Sequence, residues 1–361
     1  MRKLKNIMVT GGSGFIGTNF IRYIFDKTDF DGIVVNVDKL TYAGNPHNLI
    51  DIEKKFGTKR YFFEKSDICD YKNVKKIFEQ YNIDTIVHFA AESHVDRSIF
   101  GPRDFIETNI IGTFNLLELT REFWAGKEDV LFHHISTDEV YGSLGKNGYF
   151  SETTPYNPNS PYSASKASSD HLVRAYSHTY GIPVTLSNCS NNYGPYQFPE
   201  KLIPLMILNM LEEKLLPVYG DGKNIRDWLF VEDHTSAVWT ILNKGKAGGT
   251  YNIGSENEWE NIKLVHVLCE KVALLTGREK DYYKKLIEFV KDRPGHDRRY
   301  AINCNKIKNE IGWKQNVSFD EGLERTVQWY LINKLWAANI KNGSYRKWID
   351  VNYNKRNISL Q

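Results

Sequence analysis

The chain has 361 residues, 41% hydrophobic and 25% charged, with 47 basic against 44 acidic side chains for a net charge of +3. That length suits two domains, the composition excludes disordered and fibrous classes, and the balanced charge leaves no basic stripe for nucleic acid. The longest apolar stretch, Leu202–Leu211, is broken by Pro204 and Asn209 and is too short to span a membrane. The start, MRKLKNIMVTGGSG, reaches glycine after three apolar residues, so no secretory leader is expected. Cys69, Cys189, Cys269 and Cys304 form no CxxC pair, which fits reduced thiols and a cytoplasmic protein. In that setting the Asn-x-Ser sequons at Asn188, Asn316, Asn342 and Asn357 carry little weight.

The first apolar run, Asn6–Val9, leads into Thr10-Gly11-Gly12-Ser13-Gly14-Phe15-Ile16-Gly17 and a helical pattern. Further runs follow at Ile33–Asp38, Tyr61–Phe63, Thr85–Ala90, Val130–Ser136 and Val184–Cys189, alternating with segments of helix length. Continuous apolar runs mark strands buried on both faces, so the predicted fold is α/β, a doubly wound parallel Rossmann-type sheet over residues 1–190. After Cys189 the texture changes: Pro195, Pro199, Pro204 and Pro217 interrupt it, the helix-like Phe230–Leu242 follows, and the polar Ser255–Asn261 leads away again. The expectation is a smaller C-terminal α/β substrate-binding lobe from 191–228 and 259–309. Segments at about 229–258 and 310–330 return to the first domain, and 331–361 is a tail without an assigned role. Ligands of open α/β sheets bind at the carboxyl ends of the strands, so the chemistry is expected in the cleft between the two parts.

Gly11, Gly14 and Gly17 read as GxxGxxG, and Gly12, Gly14 and Gly17 as GxGxxG. A dinucleotide needs a tight turn, a backbone free of side chains against its pyrophosphate, and a helix N-terminus for the charge. Phe15 and Ile16 belong to that turn. Asp38 ends the second strand, where a carboxylate accepts from ribose hydroxyls and repels a 2′-phosphate, so NAD is favoured over NADP. Lys39 follows it and weakens that discrimination. Asp67 can reach an adenine amino group or serve as a helix cap; Ile68 and Ala90 complete the expected cofactor set.

Past the fifth strand come Thr137-Asp138-Glu139, and further on Tyr162 and Lys166 share one helix face at i and i+4. A phenol is a poor base near pH 7, and an adjacent ammonium and a positive nicotinamide ring both pull its pKa down. Asp138 and Glu139 taken alone would cap a loop; beside Thr137, Tyr162 and Lys166 a functional reading is favoured, and two neighbouring carboxylates raise one pKa. His133 and His134, consecutive on a strand, point to opposite faces, and no metal is expected.

Together these residues resemble the extended short-chain dehydrogenase/reductases. The stretches VDKLTYAGN (37–45), FAAESHVDRSI (89–99), STDEVYG (136–142), NCSNNYGPYQFPEKLIPL (188–205), GDGKNIRDWLFVEDH (220–234) and DRPGHDRRY (292–300) are similar to the dTDP-glucose 4,6-dehydratase family within it. The resemblance runs from about residue 5 to 330. It implies a bound NAD, dTDP-glucose as substrate, and a hydro-lyase cycle of oxidation at C4, loss of water across C5 and C6, and hydride return to C6. In it Tyr162 is the base for the 4-hydroxyl, Thr137 holds that hydroxyl, Lys166 binds the nicotinamide ribose, Glu139 takes the C5 proton and Asp138 protonates the leaving hydroxyl. It also implies substrate contacts at Ser93, His94, Asn191, Glu200, Lys201, Leu202, Arg226, Asn261, Arg293 and His296, with Glu92, Asp96 and Arg97 near the site. Arg226 and Arg293 suit phosphate oxygens through their planar fork of donors. A homodimer built on Asp104–Phe123 and Tyr162–Tyr180 is implied as well. UDP- or CDP-sugar dehydratases and 4-epimerases share the cofactor site, though an epimerase has no need of Asp138 and Glu139.

Overall fold

The apolar runs of the first half become strands β1 (Asn6–Thr10), β2 (Ile33–Asp38), β3 (Tyr61–Lys65), β4 (Thr85–His88), β5 (Leu131–Thr137) and β6 (Val184–Cys189). They are followed by β7 (Asn191–Tyr193), β8 (Leu216–Tyr219), β9 (Ile225–Phe230), β10 (Thr250–Ile253), β11 (Glu258–Glu260) and β12 (Ile287–Val290). The computed structural model describes residues 2–293 and 295–340, so the sequons at Asn342 and Asn357 and the tail beyond 340 lie outside the described residues. Seven strands form one sheet in the order β10-β6-β5-β4-β1-β2-β3, every pairing parallel.

Both faces of this sheet are covered, which is why its strands are apolar without alternation. Ile7 and Val9 pack on one side with Phe20, Ile21 and Ile24 of helix Phe15–Lys27 and with Val238 and Ile241 of helix Val231–Lys244. Met8 and Val35 face the other side, against Ile77 and Phe78 of helix Tyr71–Tyr81 and Leu116 and Leu117 of helix Thr113–Phe123. Each of these side chains is almost wholly buried, which stabilises the fold by roughly 1.5–3 kcal/mol apiece. The chain leaves β1 toward β2 on one side and returns as β4 on the other. The connections therefore diverge at the carboxyl ends of these strands and open a crevice there.

A second apolar cluster lies apart from the sheet and includes Tyr193, Ile203, Met206, Leu216, Leu264 and Leu268. Around it stand the three-stranded sheet β11-β9-β7 and the pair β12-β8. The stretch 310–330 divides between the two cores: Ile311 and Trp313 join the cluster of the main sheet. Val317, Leu323, Val327 and Tyr330 join the second cluster, because the apolar face of helix Phe319–Ile332 meets Tyr193 and Phe230 there. Among the described residues no helix is long and apolar enough to cross a membrane.

Candidate active site

All the sequence-predicted site residues, from Gly11 through Tyr162 to His296, line one continuous cleft of about 440 Å³ at the carboxyl ends of the strands. Its floor is the glycine turn. Gly11 has φ 71°, and a Cβ there would meet the Ala90 backbone nitrogen at 2.7 Å; a Cβ on Gly17 would sit 2.3 Å from the Gly11 carbonyl oxygen. The turn thus brings bare backbone to the start of helix Phe15–Lys27, a cradle of the kind a pyrophosphate requires. Asp38 is nearly buried and its carboxylate accepts from the backbone N–H groups of Ser13 (2.9 Å) and Leu40 (2.7 Å). Burial pushes its pKa up, and those two donors oppose the rise. Lys39 is not free beside it: its ammonium pairs with Asp67 at 2.6 Å. Asp67 also accepts from the Cys69 N–H at 2.9 Å, and the cap of the following helix is Asp70.

The catalytic candidates converge from two elements. β5 ends at Thr137, whose hydroxyl accepts from the Glu139 N–H at 3.3 Å and so caps the short 3-10 turn Asp138–Tyr141. Helix Pro161–Tyr180 begins with a capping box between Ser160 and Ser163, has Pro161 in its first turn and stops at Gly181 with φ 67°. This fixes Tyr162 and Lys166 against the strand end. The Tyr162 ring packs edge-on against Phe105, with Val95 in the same small cluster. Lys166 donates to the Ile135 carbonyl at 2.8 Å.

Asp138 and Glu139 adjoin in sequence yet differ in environment. Asp138 is buried; Thr137 reaches its Oδ1 at 3.4 Å, while Oδ2 has no protein partner. Burial, then the neighbouring Glu139, holds the Asp138 pKa well above the usual carboxylate range, so the protonated acid is favoured. Glu139 is also raised by burial, but Arg293, Arg226 and Lys201 pull it back toward the anion. For Tyr162 the protein's own groups do not bear out the ammonium part of the expectation. Burial, then Glu139, raises it well above its ordinary value, and Lys166 is not what sets it. Burial lowers Lys166 to about 8.

The other wall is assembled from distant segments. Arg293 pairs with Asp96 at 3.0 Å, Tyr219 donates to the same carboxylate at 3.1 Å, and the Arg293 Nε is buried without a partner. Arg226 donates to the Asp297 carbonyl at 2.9 Å and lies over the Tyr300 ring at 4.3 Å. Lys201 donates to the Ser93 carbonyl at 3.0 Å. Arg97 stands behind the cleft, stacked 3.7 Å from the Tyr42 ring centroid, and both donate to Glu200 at 3.2 and 3.0 Å. The Asn261 side-chain oxygen and the Ser190 hydroxyl are buried without partners. Tyr42, Cys189, Tyr219 and Trp228 also line the cleft and were not singled out from the sequence. Tyr42, Cys189 and Trp228 stand within recognisable stretches, but nothing in local spacing marks Tyr219.

A family model described as GDP-mannose 4,6 dehydratase matches residues 8–326. A dTDP-glucose 4,6-dehydratase of Escherichia coli is 54% identical over 97% of this chain and 99% of its own length. The dTDP-glucose 4,6-dehydratase of Bacillus anthracis, solved with NAD, superposes with a TM-score of 0.82 at 46% identity, covering 93% of this chain and 100% of that one. The Streptomyces venezuelae enzyme of the same name, also solved with NAD, gives a TM-score of 0.84 at 42% identity over 93% of this chain and 99% of that one.

Proposed function

This chain belongs to the GDP-mannose 4,6 dehydratase family, and on that footing we propose that it is an NAD-dependent dTDP-glucose 4,6-dehydratase, a hydro-lyase. The reaction converts dTDP-D-glucose to dTDP-4-keto-6-deoxy-D-glucose and water. The observation that carries the reading is the contrast between Asp138 and Glu139 within reach of Thr137, Tyr162 and Lys166 in one cleft.

The cradle at Gly11 and Gly17 fits the pyrophosphate of NAD, and Asp38 fits its adenosine ribose, leaving no room for a 2′-phosphate beside a carboxylate. Bound NAD supplies a hydride acceptor at C4 of the sugar and a donor at C6. Tyr162 takes the proton of the 4-hydroxyl, which Thr137 orients. Lys166 binds the nicotinamide ribose and lends positive charge to the phenolate. The 4-ketone acidifies the C5 hydrogen, and Glu139, drawn toward the anion by its three cations, removes it. Asp138, held protonated, delivers its proton to the C6 oxygen, which leaves as water. Glu139 then returns a proton to C5. Arg226, Arg293 and Lys201 face the diphosphate, and Asn191, Asn261 and His296 the nucleoside.

The test is incubation with dTDP-glucose followed by alkali, which develops the ultraviolet absorbance of a 4-keto sugar. Recovery of dTDP-galactose alone would establish an epimerase instead, and turnover of UDP- or CDP-glucose in preference would overturn the nucleotide.

Two copies of the chain assemble in this reading through helices Thr113–Phe123 and Pro161–Tyr180. Ile106, Ile111, Phe114 and Tyr180 are exposed, and Phe114, Tyr176 and Tyr180 form a continuous aromatic patch across both helices. The free cysteines fit a cytoplasmic enzyme. We assign 191–228 and 259–299 to the nucleotide-sugar lobe, with helix Phe319–Ile332 alongside it; the expected boundary at 309 is too far along, because Tyr300, Ile302, Cys304 and Ile307 pack into the cluster of the main sheet.

A further inference from the structure

Tyr162, Lys166, Asp170 and Arg174 recur at every fourth position of helix Pro161–Tyr180 and so form one stripe running away from the cleft. The first two belong to the catalytic pair read above; the third has no part in that chemistry. We propose that Asp170 is a positioning residue, the buried counter-ion that acts with His134 to hold the Lys166 ammonium in place beside Tyr162. The inference rests on the reading of Tyr162 and Lys166 as the catalytic pair.

Asp170 is fully buried and Lys166 nearly so. Two charges in such a place are tolerated only when each is paired and hydrogen-bonded. The Asp170 Oδ2 accepts from the Ser136 hydroxyl at 2.7 Å and from the Tyr156 hydroxyl at 2.9 Å. Its Oδ1 makes no hydrogen bond and lies 3.2 Å from the His134 Nε2; that nitrogen is 3.5 Å from the Lys166 Nζ and 3.3 Å from the Ser169 hydroxyl. His134 is wholly enclosed and kept neutral by burial, so its Nε2 serves one neighbour at a time: as an N–H it donates toward Asp170, and as a bare nitrogen it accepts from Lys166. Arg174 closes the outer end by donating to the Tyr156 hydroxyl at 2.8 Å. The titratable and charged groups facing this core are His134 from β5, His88 from β4, Cys189 from β6, Tyr156 from the preceding loop, and Tyr162, Lys166, Asp170 and Arg174 from the helix. Tyr141 of the 3-10 turn faces Asp170 as well, and Asp138 and Glu139 act on the Tyr162 end; Asp170 is the carboxylate that acts on Lys166. Burial works against the Lys166 cation, and Asp170 is the first-ranked charge opposing it.

Removing that negative charge lowers the pKa of the Lys166 ammonium, whereas the charges acting on Tyr162 are Glu139, Cys189 and Asp138. Asp170→Asn keeps the side-chain shape and an oxygen for Ser136 and Tyr156. The expected result is a kcat/KM profile whose alkaline limb, set by loss of the Lys166 proton, moves to lower pH by about one unit, the lower end of the about 1–3 by which an opposite charge shifts a pKa. NAD content and circular dichroism should stay as in the wild type, and Asp170→Glu should bring the limb back. Tyr156→Phe takes one donor from the carboxylate and should give a smaller displacement in the same direction; it decides the matter if the Asn variant does not fold. A loss of rate with an unmoved limb, in the Asn variant or in Tyr156→Phe if that alone folds, overturns the proposal, because a scaffold role lowers amplitude at all pH. Lys166→Met separates the two layers. If it is inactive while the limb of Asp170→Asn stays put, only this inference fails; if it is fully active, the catalytic pair falls and this inference with it.

Discussion

Asp138→Asn isolates the proton that must reach the departing oxygen. Asn is isosteric, keeps an oxygen for the Thr137 contact at 3.4 Å, and stands where Oδ2 already lacks a protein partner, so the cleft should keep its shape. What disappears is the acidic proton. General acid catalysis contributes about 10²–10⁴-fold, so elimination should slow by that factor, which is about 2.7–5.4 kcal/mol of barrier. Stability should move the other way. The folded-state pKa of Asp138 is raised above its unfolded value, so the unfolded chain ionises first as pH climbs. The associated stability is fully present below the ordinary Asp range and is lost as pH rises toward the folded value. Asn does not titrate, so the variant should melt no lower than the wild type at pH 7, with any advantage vanishing in acid. The assay pairs the alkali-developed absorbance of the 4-keto product with rapid-mixing detection of the reduced cofactor. The reduced signal should appear at close to the wild-type rate and then persist, while solvent deuterium still enters C5 through Glu139. Product formation at the wild-type rate, or absence of the reduced signal, would refute the division of labour between the two carboxylates.

Glu139→Gln should show the complementary fault: a transient reduced-cofactor signal with no deuterium at C5 and no 4-keto product, and unchanged turnover would remove Glu139 from the base role. Tyr162→Phe should stop the cycle before any reduced cofactor forms; a normal first hydride transfer would count against the phenol as base. Gly17→Ala forces a methyl to within 2.3 Å of the Gly11 carbonyl, an overpacking that costs about 1–3 kcal/mol, so the purified variant should carry less NAD and melt at lower temperature. Full NAD content in that protein would argue that the turn is not the pyrophosphate cradle. Phe114→Asp, a charge set into the aromatic patch of Phe114, Tyr176 and Tyr180, should convert a dimer to monomer by light scattering, and a monomeric wild type would dispose of the interface.

Much of the molecule was legible in the chain itself because it rests on short-range physics. Apolar runs such as Ile33–Asp38 can only be strands covered on both faces, the glycines at 11, 14 and 17 serve a turn a few residues long, and Tyr162 and Lys166 are placed together by one turn of helix. Other features needed the assembled fold. Lys39 looked like a threat to NAD preference until Asp67, from the end of a neighbouring strand, was found holding it at 2.6 Å. Tyr162 was expected to be lowered by Lys166, whereas enclosure by packed neighbours raises it, and enclosure is a property of tertiary packing rather than of spacing. The separate roles of Asp138 and Glu139 are likewise invisible locally, since two adjacent acids become different only when Arg293 and Lys201 are folded toward Glu139, while Arg226 acts on both. Sequence supplied the groups and their local geometry, and the long-range contacts supplied the dielectric and the counter-charges that decide which of those groups holds a proton.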